Sequence, residues 1–212
     1  MDILGRIFRR IQREINLRLN RFQVWRVNRS ITGELSSDDT RPVIIFNAST
    51  RLSGLSQNAG FSLITSLALR KNQIPTHHVF CDHGLRPCVL GTDRNDPERI
   101  PPCRECTRTS RLILKDANSH SFTYKEDVEI SKATKDLGLD QLLSFTYQGI
   151  PLGELVLPSM RWILRKHHLK DNKNNKLLAQ NYIRSAWGVF GDFSDLIDKI
   201  QPQAVLVFNG MF

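Results

Sequence analysis

The only four cysteines of the 212-residue sequence, Cys81, Cys88, Cys103 and Cys106, fall in one stretch with the spacing C-x6-C-x14-C-x2-C. A C-x2-C pair closes naturally on one tetrahedral metal ion, because its thiolates sit close together, and two further cysteines complete a four-ligand shell. His83 could replace Cys81 as a ligand if Cys81 is buried in a strand. Disulfides, which a reducing compartment disfavours, and inert buried thiols are the competing readings. The loop that carries the set holds Asp93, Asp96 and several prolines but few apolar residues. It cannot hold itself in place by burial, so a structural zinc is the expected staple. Four thiolates would close the shell and leave no open position for catalysis. Asp82 and His83, beside the first cysteine, are of the types that accept and release protons.

The elements that must position these residues read as a strand–loop–helix–strand unit of a parallel sheet. Val43-Ile44-Ile45-Phe46 is a short apolar strand opened by Pro42, and a polar loop from Asn47 to Asn58 follows it. The spacing predicts a helix from about Ala59 to Arg70 that buries Phe61, Ile64, Leu67 and Ala68. Pro75 stops it, and Thr76–Cys81 is the next strand. The loop after the first strand offers hydroxyls, amides and Gly54, and ends at a helix N-terminus, which favours an anion or a sugar hydroxyl. It is neither a G-x-G-x-x-G nor a GK[ST] phosphate loop, so a solvated connection is an equal reading.

Further along, Thr107–Asn118 reads as a helix, His120–Tyr124 as a third strand, and Glu126–Phe145 as helical segments broken at Gly138. Tyr147–Leu155 is a Gly/Pro-punctuated loop, with a helix starting at Pro158-Ser159 and carrying Arg161, Arg165, Lys166, His167 and His168. That basic set is read first as a solvated face. Lys176–Ile200 is a long helix with Leu178, Tyr182, Ile183, Trp187 and Phe190 available to the core. Ala204–Phe208 is a buried strand by composition, followed by Asn209-Gly210. The expected fold is α/β and Rossmann-like, a mostly parallel sheet with helices on both faces and a zinc-stapled Cys-rich insert. Ligands collect at the C-terminal ends of such strands, so the loops holding Asn47 and Gly54, Asp82 and His83, and Asn209 and Gly210 should share one rim.

The net charge of +9 is uneven. Residues 1–30 hold eight arginines against Asp2 and Glu14, six of the nine net positive charges. Residues 2–17 read as an amphipathic helix, with Ile3, Leu4, Ile7, Phe8, Ile11 and Ile15 on one face and Arg6, Arg9, Arg10 and Arg13 on the other. Such a helix packs on its own body or a second copy, or lies on an anionic membrane. No specific nucleic-acid motif is present. Residues 1–30 are an arm, 31–42 a polar linker and 43–212 the α/β domain. No apolar run nears the ~20 residues of a membrane span, and no secretory signal opens the chain. A cytoplasmic location is expected, with a peripheral place at the inner membrane face open to it.

Several of these motifs form a set. The first strand ends in Phe46-Asn47 and the last in Phe208-Asn209-Gly210. Arg86-Pro87-Cys88-Val89-Leu90-Gly91 leads to Pro101-Pro102-Cys103-x-x-Cys106, and Gly149-x-Pro-Leu-Gly153-Glu154-Leu155 to Pro158-Ser159. Over residues 43–212 the set resembles bacterial surface- and capsular-polysaccharide glycosyltransferases. The resemblance implies the N-terminal, acceptor-side domain of a GT-B enzyme, the front part of a longer protein in which a C-terminal domain binds most of the nucleotide sugar. The acceptor would be a glycan or lipid-linked sugar. Glu154, His83 and Asp82 are then the candidate bases for an acceptor hydroxyl, and Asn47, Ser53, Gly54, Asn209 and Gly210 would line the cleft. Glu154 enters from its loop by the resemblance alone. The alternative is a non-catalytic zinc-containing interaction module that docks on membrane or an acidic partner.

Overall fold

The computed structural model describes residues 3–30, 41–50, 55–86, 88, 91, 93, 96 and 99–207. Its elements run α1 (Ile3–Ser30), β1 (Val43–Phe46), α2 (Gln57–Lys71), β2 (Thr76–Cys81), α3 (Cys103–Ile113), β3 (Ser119–Phe122), α4 (Val128–Thr134), α5 (Leu139–Leu143), α6 (Leu152–Leu164), α7 (Lys173–Ile200) and β4 (Ala204–Val207). The fold is α/β. The four strands form an all-parallel sheet in the order β3-β2-β1-β4. Val43 lies opposite Thr76 on one side and Ala204 on the other. With a neighbour on each side, β1 buries Ile44 and Ile45 completely, as expected of a central parallel strand. The chain divides into two compact units, one made of the sheet with α1, α2 and α3, the other of α4, α5, α6 and most of α7.

In the sheet unit, Leu17 of α1, Leu63 of α2, Phe80 of β2, and Ile113 and Leu114 at the end of α3 form one buried cluster. The α2 helix is capped by Ser56, whose Oγ accepts from Ala59 N at 3.2 Å. It buries Ala59, Ser62, Leu63 and Ser66, while Phe61 and Ile64, expected in the core, are exposed. The reason is polar. Ser66 Oγ lies 2.7 Å from Thr76 Oγ1 and 3.0 Å from His78 Nε2, so the small face of α2 satisfies two buried groups of β2 that an aromatic face would leave unpaired.

Three other expectations are corrected here. The amphipathic helix does not end near Leu17 but runs to Ser30, since no Gly or Pro interrupts residues 6–30 and Val24 packs on the cluster. The last strand is not buried: Val205, Leu206 and Val207 are 39–44% exposed, because β4 pairs with β1 on one edge and no other described strand covers the second. The α3 helix starts at Cys103 rather than Thr107, which puts the C-x2-C pair on the first turn of a helix. Residues 31–40 of the expected linker lie outside the described residues.

The helical unit has the larger apolar core, with Ile130, Leu139, Leu142, Leu152, Met160, Leu178 and Ile183 essentially inaccessible. Its α6 begins at Leu152, not at Pro158, which lies inside the helix. A tight turn makes the early start possible. Gln148 and Gly149 both have positive φ, and Tyr147 and Ile150 exchange two backbone hydrogen bonds of 2.9 Å. Gly153 then comes so close to α5 that a Cβ there would lie 2.2 Å from the Leu142 carbonyl oxygen. The α7 helix starts at Lys173 rather than at the expected Lys176, because the Asn172 side chain accepts from Asn175 N at 2.9 Å.

Candidate functional site

The loop after β1 is shaped first by the sheet. Asn47 N donates to Val79 O at 3.0 Å and Cys81 N to Ala48 O at 3.0 Å, so the β1–β2 ladder continues past the end of β1. The chain then turns onto α3. Thr50 is 2% exposed; its Oγ1 lies 3.2 Å from Ser110 Oγ, and its N–H donates to the same oxygen at 3.4 Å. Ser49 Oγ lies 3.0 Å from Cys106 Sγ. Thr50 O accepts from Ser56 N at 3.1 Å, which ties the far end of the loop to the α2 cap. The buried face of α3 is Thr107, Thr109, Ser110 and Ile113, hydroxyls where a core helix ordinarily carries leucine.

The Asn47 side chain is half-buried and has no hydrogen-bond partner among the described residues. Its amide offers both donors and an acceptor beside the backbone of Ala48 and Ser49. The topology makes this edge significant. Strand order reverses between β1 and β4, and ligands of open α/β sheets bind outside the carboxyl ends of the strands at such a reversal. Ser53, Gly54, Asn209 and Gly210, the other expected lining residues, lie outside the described residues.

Asp82 and His83 follow β2 directly and belong to the helical unit. Asp82 N donates to Phe122 O at 2.9 Å. His83 has φ of 62°, in the left-handed region that few non-glycine residues adopt, and its Nδ1 lies 2.8 Å from Asp82 Oδ1. A bond from Nδ1–H to the carboxylate leaves Nε2 as the proton-accepting nitrogen. The side chain of His83 is 40% exposed and that of Asp82 15%. Gly84 packs on Phe122, where a Cβ would lie 2.2 Å from the ring.

Glu154 is exposed on the first turn of α6, not in a loop. Arg161, Arg165, Lys166, His167 and His168 are exposed, and Arg165 lies over the Trp162 ring at 5.0 Å. Cys81, Cys88, Cys103 and Cys106 are half-buried. Among the described residues, no group of three or more His, Cys, Asp and Glu side chains is arranged to hold a metal ion.

Two histidines of β2 are chemically distinct from His83. Burial, then the neighbouring His77 and Arg70, pushes His78 down to about 4, so it is a neutral imidazole hydrogen-bonded to Ser66. Burial also lowers His77. On α3, Arg108 binds Glu105 at 3.0 Å and Glu14 of α1 at 2.5 and 3.3 Å. The hydrogen bond from Arg108 holds the Glu14 carboxyl below its ordinary value. The helix that seats the β1 loop is thereby also fastened to α1.

No protein-family model, curated protein or solved structure matches the chain. The site therefore rests on its own geometry. The sequence singled out Asn47, the Asp82–His83 pair and, as a metal ligand, Cys106, but gave no role to the Thr50–Ser110 pair or to the contact of Ser49 with Cys106. The available signal was Thr107-x-Thr109-Ser110, small hydroxyl residues where a helix against a sheet should present an apolar stripe.

Proposed function

We propose that the chain is a Rossmann-like acceptor-binding domain of a glycosyltransferase, one that moves a sugar from a nucleotide sugar onto a glycan or lipid-linked acceptor in surface-polysaccharide synthesis. The observation that carries this reading is the strand order β3-β2-β1-β4, which matches the first four strands of a doubly wound nucleotide-binding sheet. A hydroxyl- and amide-lined loop follows β1, where a phosphate-binding domain would carry a glycine-rich turn. Such a lining suits the many hydroxyls of a sugar better than a polyphosphate. The resemblance of the cysteine-bearing and Gly149–Ser159 motifs to polysaccharide glycosyltransferases points the same way.

The reaction needs a base to take the proton from the attacking hydroxyl. Of the three candidates, His83 has the strongest geometry, because Asp82 orients its ring and leaves Nε2 to accept. Glu154 has no comparable support. In an enzyme that also contains the donor-binding domain, His83→Gln should lower turnover roughly 10²–10⁴-fold while leaving acceptor binding intact. The binding half is tested by titrating the chain with labelled oligosaccharides of bacterial surface polysaccharides. Saturable binding that nucleotide does not compete away is expected, and absence of binding would remove the reading.

A second reading, a non-catalytic zinc-containing interaction module, is favoured by the cysteine spacing. It requires about one zinc per chain, lost with Cys103→Ser and Cys106→Ser together. Zinc at that stoichiometry without any glycan binding would favour this module over the enzyme.

A further inference from the structure

The α1 helix touches its own unit along a narrow line. Leu17 is buried and Val24 half-buried against the cluster of Leu63, Phe80, Ile113 and Leu114, and Glu14 is held by Arg108. At 100° per residue, a different third of the helix circumference carries Ile7, Phe8, Ile11, Ile15, Phe22 and Trp25, each 40–67% exposed. This strip extends about 27 Å at the helical rise. Arg18, Arg26 and Arg29 project from the same third and are exposed. Glu14 is the single acidic residue between Ile3 and Ser30, and it is already paired.

We propose that this strip is a membrane-docking face whose partner is an anionic lipid surface, with α1 lying in its plane. The inference is independent of the acceptor-binding reading. The charge pattern selects the occupant. A second copy seated on the strip would bring the Arg18, Arg26 and Arg29 guanidiniums of both helices together, and the one carboxylate of each helix, Glu14, is already paired with Arg108. A nucleic acid would neutralise the arginines but leave six large apolar side chains in water. A lipid interface meets both needs. The apolar side chains enter the headgroup–acyl boundary, while the arginines lie along it on their aliphatic stems and reach phosphate oxygens. No helix among the described residues is long and apolar enough to cross a membrane, so α1 lies on the surface rather than spanning it.

The test is flotation of the 212-residue chain with phosphatidylglycerol–phosphatidylcholine vesicles and with phosphatidylcholine vesicles. Binding should require phosphatidylglycerol and weaken with added salt. Arg18→Gln, Arg26→Gln and Arg29→Gln together should weaken it roughly 100-fold. Ile7→Glu with Ile11→Glu should abolish it while leaving the circular dichroism spectrum unchanged, since both positions are exposed. Three results would each overturn the proposal: no binding to the anionic vesicles; binding that survives Ile7→Glu with Ile11→Glu; or a lipid-free dimer that the same pair of changes dissociates.

Discussion

The α6–α7 core and the seat of the β1 loop both rest on buried helix faces, but the buried atoms differ. Met160, Leu178 and Ile183 fill the first with hydrocarbon. Thr50, Thr107, Thr109 and Ser110 fill the second with hydroxyls. Hydrocarbon packing gains from every atom removed from water and is indifferent to direction. A hydroxyl seat gains little net, but each lost partner strands another group, so it specifies one loop geometry more sharply than it stabilises it. The chain thus has stability in one unit and positional precision in the other, and the precision sits under the loop proposed to bind.

The sharpest break of this contrast is in the core. Met160→Ala should cost ~2–5 kcal/mol in denaturant unfolding, because Met160 is wholly buried and a cavity would remain. A cost below ~1 kcal/mol would mean that the helical unit is not held by this packing. On the polar side, His78 gives a pH signature. Its value in the folded protein, about 4, is below the ordinary 6.5, so the unfolded chain binds more protons between those limits. Stability should therefore fall as pH drops through that window, by up to about 3 kcal/mol, and be fully present above it. Comparing unfolding at pH 7 and pH 4.5 in wild type and His78→Gln checks the sign: the variant should lose less.

Smaller still, Ser110→Ala should cost ~1–3 kcal/mol, since it leaves the Thr50 hydroxyl and N–H with one partner fewer. Its signature is local: faster amide exchange over Asn47–Thr50, with the α6–α7 core unchanged. Glu154→Gln, on an exposed helix turn, should move stability by less than about 0.5 kcal/mol.

The same contrast explains what the sequence could show. β1, β2 and β4 are visible as runs holding apolar or β-branched residues, β3 (Ser119–Phe122) only weakly so, and Leu178, Tyr182 and Ile183 follow from helical spacing. The face of α2 does not, because Ala59, Ser62 and Ser66 look like solvent positions until Thr76 and His78 supply their partners. The start of α6 depends on Gln148 and Gly149 adopting positive φ and on the approach of Gly153 to Leu142, neither of which periodicity encodes. The exposure of β4 depends on what lies beside it in space, and composition alone reads Ala204–Val207 as core. For the site, Asn47 and the Asp82–His83 pair were marked by their place after strands. The Ser49–Cys106 and Thr50–Ser110 contacts join residues 57 and 60 positions apart, and no local pattern links them.

The central claim is that the β1 loop, held by α3 hydroxyls, presents Asn47 to a glycan acceptor. Its most direct test is an amide chemical-shift titration of the chain with surface-polysaccharide oligosaccharides, run in parallel on Asn47→Ala. The account predicts saturable shifts centred on Asn47–Thr50 and binding roughly tenfold weaker in the variant, the value of one or two hydrogen bonds. Shifts that avoid this loop, or equal affinity in Asn47→Ala, would contradict it.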